Sequence, residues 1–338
     1  MRIGIIGGGF CGSLCAKKLE KRFDVTLIDN KDFFEFTPSI PRVLCDYDYR
    51  NKIQVKHTDY LRKAKVIISK VDEIGEGYLI VGSKKLNFDY IIVSTGSSYH
   101  VPFKSKVVST LSRSRGLLRI ANQLRNVDEI LIVGGGVVGV EAAAEILTRT
   151  SKNVILVHSH NRLMHRYPKK VGDYAMKFLE NRGCKILLNN RITSHKGGWF
   201  ITDKKNKFKP GLALLCTGIT PNFNFKSNVA SDEYGFLIVG STLKIGNKIY
   251  AGGDIINIME EKTAQNARNH ASLICKNLER EIKGKSLCDY RTKKTPMVIS
   301  LGPNHGIFFY NNFAFKGYTP SLMKKFIEKR VMIGYKLF

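Results

Sequence analysis

The chain has 338 residues, with 55 Lys and Arg against 28 Asp and Glu, a formal charge of +27. At roughly 100–200 residues per domain, this length admits two domains or a compact three. A composition of 43% hydrophobic and 25% charged residues excludes a disordered or collagen-like chain. The positive surplus leaves three partner classes in play: nucleic acid, an anionic membrane surface, and small anionic ligands such as dinucleotides.

Met1-Arg2-Ile3-Gly4-Ile5-Ile6-Gly7 enters a folding element at once, so no cleaved leader is expected. No run of about 18 uncharged apolar residues exists, so no bilayer-spanning helix is expected. The seven cysteines (Cys11, Cys15, Cys45, Cys184, Cys216, Cys275 and Cys288) form no C-x-x-C pair. Their odd number and spacing argue against a disulfide scaffold or a zinc ribbon. The expectation is a reduced, intracellular chain without a metal site.

In chain order, Arg2–Leu19 reads as a short apolar strand, a glycine cluster Gly7-x-Gly9-x-x-Gly12, and a helix. The first glycine permits a tight turn, the second admits a pyrophosphate to the backbone, and the third lets helix pack on strand. A strand over Asp24–Asp29 follows, and its terminal carboxylate, Asp29, is placed to accept from a ribose hydroxyl pair. Asp89–Gly96 is another apolar strand, closing on Thr95-Gly96 beside the bound nucleotide.

The whole pattern then repeats. Glu129–Leu147 carries strand, Gly134-x-Gly136-x-x-Gly139 and helix, with the flanking elements that the motif requires. The strand starting at Asn153 ends in His158, not in an acid, which removes the carboxylate that would repel a 2′-phosphate. His158, Ser159 and Arg162 are candidates to accept that phosphate, so NADPH is expected to be tolerated. The alternative is that His158 is a neutral surface residue. Leu212–Gly218 closes the second unit on Thr217-Gly218, and Lys248–Asp254 ends in Gly253-Asp254, where a carboxylate suits a ribityl hydroxyl.

The fold class expected is α/β, with two Rossmann-like dinucleotide-binding domains, the first interrupted by the second, and a small C-terminal segment. The boundaries expected are 1–105 with 220–290, 106–219, and 291–338.

The order G-x-G-x-x-G, Thr-Gly, G-x-G-x-x-G-x-Glu, C-T-G, Y-A-x-G-D resembles the two-dinucleotide-domain flavoprotein reductases over roughly residues 1–290. This resemblance implies FAD on the first domain and NADH or NADPH on the second. The loop Phe34-Glu35-Phe36-Thr37-Pro38-Ser39-Ile40-Pro41 lacks the cysteine pair of the disulfide reductases. It is similar to the loop of type II NADH dehydrogenases that runs by the flavin, which implies contacts from Thr37 and Pro38. Thr263-Ala264-Gln265 through Asn269 resembles their quinone-site A-Q-x-x-x-Q, with Asn269 departing from it. The nearest likeness is to apoptosis-inducing-factor-like quinone reductases of the ferroptosis-suppressor type, through V-H-S, C-T-G, Lys262, His270-Ala271 and Leu301-Gly302-x-x-x-Gly306.

The resemblance implies an NAD(P)H:quinone oxidoreductase. Glu141 would orient the nicotinamide, or else serve as a first-turn acid on the helix dipole. Lys262 would add positive charge beside the reduced flavin, or else be a solvated lysine. A helix opening at Thr263-Ala264-Gln265 and reaching about Leu278 would present its N-terminus to the same edge. Sulfide:quinone oxidoreductases share the plan, but Cys45 is the only cysteine near the flavin loop.

From Arg291 onward nine Lys or Arg face one Glu. A short helix is expected over Thr319–Val331, with Thr319 as N-cap and Pro320 at its first position. Its apolar stripe is Leu322, Met323, Phe326, Ile327 and Val331. Such a basic amphipathic helix suits an anionic lipid surface, and equally its own domain or a second subunit. The stretch Met297–Gly306 is expected to fold back on the first domain. No nucleic-acid signature is present, so a basic nucleic-acid-binding protein is the minor reading and no specific nucleic acid is expected. The location expected is cytoplasmic, peripheral on the inner face of a membrane.

Overall fold

The computed structural model describes residues 1–99, 107–111 and 116–337. The expected boundary at 105/106 lies outside them. Two parallel sheets form the frame. The first has the strand order Lys244–Gly246, Ile249–Ala251, Tyr90–Val93, Arg2–Ile6, Asp24–Asp29, Lys65–Ile68, parallel except at its first edge. The second runs Val108–Thr110, Leu212–Leu215, Glu129–Val133, Asn153–Val157, Lys185–Leu187, parallel throughout. Their central strands are runs of Ile, Val and Leu because both faces are covered. Ile3, Ile5, Ile92, Ile130, Ile132 and Leu214 are all fully buried. In each sheet the strand preceding the glycine cluster lies between its two neighbours, where the order of winding reverses and the crevice opens.

The two glycine turns are built alike. Gly7 and Gly134 take φ of +91° and +111°, where a side chain is strained. The Gly7 N–H donates to Ile28 O and the Gly134 N–H to Val157 O, each at 2.8 Å. A Cβ on Gly12 would lie 1.9 Å from Gly7 O, and one on Gly139 would lie 1.9 Å from Gly134 O. These glycines let the helices Phe10–Leu19 and Val137–Arg149 start directly against the strand ends.

The helix expected from Thr263 runs over Ala264–Ile282, with the Thr263 hydroxyl accepting from Asn266 N–H as a side-chain cap. The tail forms a three-stranded antiparallel sheet (Met297–Ser300, Gly306–Tyr310, Phe313–Gly317) and then a helix over Tyr318–Lys336. Three expectations are corrected here. The stretch 297–306 packs on the second glycine helix, with Ser300 N–H donating to Glu141 and Gly302 against Thr148. The C-terminal helix is longer than expected and begins after Gly317, with no side-chain cap from Thr319. Finally, the docked face is Pro320, Ser321, Glu328, Met332 and Tyr335, while Leu322, Phe326 and Ile327 are exposed.

Polar contacts choose that face. Buried Glu328 accepts from the Ser39 and Tyr49 hydroxyls. Tyr335 hydrogen-bonds Ser13 Oγ at 2.8 Å and stacks on Phe34 with centroids 4.0 Å apart. Ser321 donates to Pro303 O.

Gly139→Ala is expected to cost about 1–3 kcal/mol or more, because the new methyl meets fixed backbone. Gly334→Ala, in the C-terminal helix with nothing within 4 Å of the added carbon, is expected to gain up to about 1 kcal/mol. Denaturant melts of the two variants check the contrast, which equal midpoints would refute.

Candidate functional site

One cavity of about 2500 Å³ is lined by the carboxyl ends of both sheets and by one edge of the C-terminal helix. It gathers Gly7, Gly9, Asp29, Thr37, Pro38, Thr95, Gly96, Asp254, Lys262, Thr263, Ala264 and Gln265 from the first unit. From the second it gathers Gly134, Gly136, Glu141, His158, Thr217 and Gly218. Gly12, Gly139 and Arg162 do not line it.

At the first cradle, the helix after Gly9 has no side-chain cap, so its leading N–H groups and dipole face the cavity free for an anion. Asp29 Oδ2 accepts from Gly8 N–H at 2.9 Å, Lys31 Nζ at 3.1 Å and faces His57 Nε2 at 3.3 Å. Burial alone would raise its pKa, but the His57 hydrogen bond and the Lys31 charge outweigh burial and hold it well below the usual carboxylate range. Asp29 is therefore an anchored, ionised acceptor. His57 passes the network to Tyr60 through a 2.7 Å bond. Neither Lys31 nor His57 sits in a motif that would mark it in the sequence. Thr95 Oγ1 is buried with no hydrogen-bond partner among the described residues, and Asp254 accepts from Ser97 Oγ at 3.0 Å.

The second cradle repeats the first with one change. Its helix is again uncapped at Gly136. The bond that Gly8 gives Asp29 is here Gly135 N–H to His158 Nδ1, at 3.1 Å. His158 is only 6% exposed, so it is not a surface residue. Burial, followed by the neighbouring His160 and His165, lowers its pKa to about 4, and the ring is neutral near pH 7. With Nδ1 accepting, Nε2 carries the hydrogen. The Arg162 guanidinium turns back onto the carbonyls of Met164 and His165. This corrects the expectation that it faces a phosphate. The basic groups beside His158 at the wall are instead His160, His165 and Arg191, loop residues with no periodicity to betray them.

Glu141 is buried, and its Oε1 accepts from Ser300 N–H at 2.8 Å and from Lys324 Nζ of the C-terminal helix. It is not a solvated first-turn acid. Lys262 Nζ donates to Ile256 O at 2.5 Å and Ile258 O at 3.2 Å. Burial lowers its pKa, while Asp254, Glu260 and Asp232 act the other way. Phe326, Ile327 and Arg330 of the C-terminal helix complete the wall. Among the described residues no cluster fits a metal ion, and no helix is long and apolar enough to cross a membrane.

Residues 1–271 match the family model of the pyridine nucleotide-disulphide oxidoreductases, and the chain belongs to that family. It is similar to ferroptosis suppressor protein 1 of Homo sapiens, 28% identical over 356 residues that cover 98% of this chain and 93% of that protein. It is also 28% identical over 342 residues to apoptosis-inducing factor homolog B of Dictyostelium discoideum, covering 90% and 88% of the two chains. In fold it is similar to NDH2 from Plasmodium falciparum in complex with NADH, with TM-score 0.87, 16% identity, and coverage of 99% and 96%. The cofactors of this family are FAD and NADH or NADPH. The residues present fit both groups, with two uncapped helix starts behind glycine turns and, at the first, a Thr95 hydroxyl with no partner among the described residues.

Because folding lowers the His158 pKa from about 6.5 to about 4, the unfolded chain binds the extra proton between those values. Stability is therefore full above about pH 6.5 and is lost as the pH falls toward 4. His158→Asn keeps an acceptor for Gly135 N–H and does not titrate. Denaturant unfolding from pH 7 down to about pH 4.5 should show a shallower fall for His158→Asn than for the parent, and parallel curves would refute the assignment.

Proposed function

We propose that this flavin-dependent NAD(P)H oxidoreductase passes two electrons from NADH or NADPH to a membrane quinone. The observation that carries the reading is the continuity of the cavity. Both nucleotide cradles open into it, and its wall continues onto Phe326 and Ile327, which are 66% and 43% exposed. When bound, NAD(P)H would supply the hydride and FAD would serve as the two-electron carrier between it and the quinone.

The protein's residues bind, orient and stabilise charge. Gly7, Gly9 and Gly12 bring the first helix start to the FAD pyrophosphate, with Asp29 on the ribose and Asp254 on the ribityl chain. Thr37, Pro38, Thr95 and Gly96 border the same group. Gly134, Gly136 and Gly139 do the same for NAD(P)H, with Thr217 and Gly218 beside it. Glu141, held by Lys324 and Ser300, orients the nicotinamide end. Lys262, pinned to two carbonyls, keeps a positive charge beside the helix that starts at Ala264. That helix end and Gln265 favour negative charge at the adjacent edge of the cavity.

The outward face of the C-terminal helix (Leu322, Phe326, Ile327, Ile333) lies among lysines and arginines. That pairing supports peripheral binding to an anionic membrane on the cytoplasmic side, where a quinone is delivered. Sulfide oxidation finds no support: burial pushes the Cys45, Cys184 and Cys216 thiols up to about 12, and a thiol is not the attacking species.

Purified protein should carry flavin absorption and oxidise NADH or NADPH faster when quinone is added. Lys262→Ala is expected to lower quinone turnover by about tenfold to a hundredfold. Phe326→Asp with Ile327→Asp should impair turnover with quinone in anionic vesicles more than with a water-soluble quinone. Protein that stays colourless after incubation with FAD, or turnover indifferent to quinone, would overturn the reading.

A further inference from the structure

We propose that Glu261, with Arg166 and Tyr167, forms a bridge across the cavity that holds the two nucleotide units in register for hydride transfer. Glu261 is then a positioning residue, not a catalytic one. The inference rests on the function proposed above, since it presupposes FAD on the first unit and a nicotinamide dinucleotide on the second.

The chain passes from the first sheet to the second through Ser97–Tyr99 and returns through Ile219–Pro221, and these two strands pair antiparallel. A two-stranded ribbon permits rotation about itself, so side chains that cross the cavity help to set the angle between the units. The segment after Asp254 runs along the cavity, with Asn257 to Lys262 all at its wall. Two adjacent carboxylates in it turn opposite ways.

Glu260 turns into the first unit. Its Oε1 lies 2.9 Å from His270 Nε2, and its two oxygens accept from the Tyr290 hydroxyl at 3.1 and 3.0 Å. His270 Nδ1 accepts from Gly253 N–H at 3.1 Å, which leaves the ring hydrogen on Nε2, toward the carboxylate. The buried imidazole thus ties this loop to the turn that carries Asp254. Asn266 Nδ2 donates to Glu261 O at 2.8 Å and fixes the backbone from which the second carboxylate extends.

Glu261 turns to the second unit. Its Oε2 accepts from the Arg166 guanidinium at 2.8 Å and from the Tyr167 hydroxyl at 3.0 Å. Burial, then the Glu261 carboxylate, raise the Tyr167 pKa, so the phenol stays a donor. Its ring packs edge-on against Phe309 with centroids 5.2 Å apart. Tyr167 N–H donates to Met164 O at 2.9 Å, and Met164 N–H donates to Gly135 O at 2.8 Å. A continuous path of polar contacts and backbone therefore runs from Gly135, in the glycine turn of the second cradle, to Gly253 in the first unit.

The ends of this path are the turns assigned above to the two cofactors. Hydride transfer needs the reacting atoms about 3–3.5 Å apart, and a shift of about 1 Å can cost about a hundredfold. The bridge is also able to open, because Arg166 is 65% and Glu261 34% exposed, and solvent screens such a pair. Lys324 and Glu141 make a second link through the C-terminal helix. Breaking the bridge therefore loosens the register without separating the units.

The test joins a structural and a kinetic readout on FAD-loaded protein. Amide hydrogen exchange without nicotinamide nucleotide should show reciprocal coupling. Glu261→Ala should speed exchange in residues 162–168, and Tyr167→Phe should speed it in residues 254–263, each by about twofold to tenfold. The central strands of both sheets should exchange as in the parent. In rapid-mixing reduction by NADH, Glu261→Ala should lower the limiting rate of flavin reduction by about threefold to tenfold, while the nucleotide dissociation constant stays near that of the parent. Glu261→Gln keeps an acceptor for the Tyr167 hydroxyl and should recover most of the rate. Glu261→Ala/Tyr167→Phe should be no slower than Glu261→Ala, because both changes cut one bridge. Faster exchange confined to the substituted unit, or a limiting rate in Glu261→Ala equal to the parent's, would overturn the proposal. A parent flavin that NADH and NADPH both leave oxidised would instead overturn the function proposed above, and the exchange readout would still decide whether the bridge exists.

Discussion

Everything at the site depends on one close approach. The carbonyl oxygens of Gly7 and Gly134 lie where a Cβ on Gly12 or Gly139 would be, 1.9 Å away in both units. Only because those side chains are absent can each helix begin directly against the turn that ends the central strand. The uncapped first turn of each helix then faces the mouth of its own sheet. Move either helix outward by the width of a methyl group, and the free N–H groups no longer converge on one point. The same constraint makes the cradles alike, and one difference between them is the residue that closes the second strand of each unit. That residue is the acceptor for the next glycine's N–H, Asp29 in one unit and His158 in the other. One is an anchored anion and the other a neutral ring.

The C-terminal helix is held by polar groups on a face that carries few apolar side chains. Glu328 accepts from two hydroxyls, Lys324 meets Glu141, and Tyr335 fits between Ser13, Phe34 and Tyr60. Each hydrogen bond to a charged group contributes roughly 1.5–3 kcal/mol and is costly to break when buried. Specific polar docking therefore sets which face is buried, and Leu322, Phe326 and Ile327 stay exposed. The result is a helix whose inner face is fixed to both nucleotide units while its apolar outer face remains available to a partner.

Much of this architecture is legible in the amino-acid sequence. Paired glycine clusters between apolar runs and helical runs specify both cradles, since strand, turn and helix are local. The strand ends at Asp29 and Thr95 follow from the same pattern, and so does the helix capped by Thr263. The docking face of the C-terminal helix is not legible there. A helical stripe of Leu, Phe and Ile reads as a buried face, and the hydroxyls that override it, Ser39 and Tyr49, lie nearly 300 residues away in the chain. Arg162 misleads for a related reason, because a carbonyl-rich loop can satisfy a guanidinium as well as a phosphate can. Lys31, His160 and His165 belong to no period, and only the packed loops bring them to the cavity.

Within the charge of +27, two physical kinds matter at the site. Lys31, Lys262 and Lys324 line the cavity, each already bonded to a carboxylate or a carbonyl. Such buried, short-range pairs are little affected by salt. The lysines and arginines around the outer face of the C-terminal helix are exposed, and their attraction to an anionic surface is screened within about 8–10 Å at ordinary ionic strength. Cofactor retention and the proposed membrane contact thus rest on differently screened electrostatics. On the proposed membrane contact, rising salt would release the protein from a lipid surface while both nucleotide cradles, built on backbone N–H groups and buried pairs, would keep their affinity.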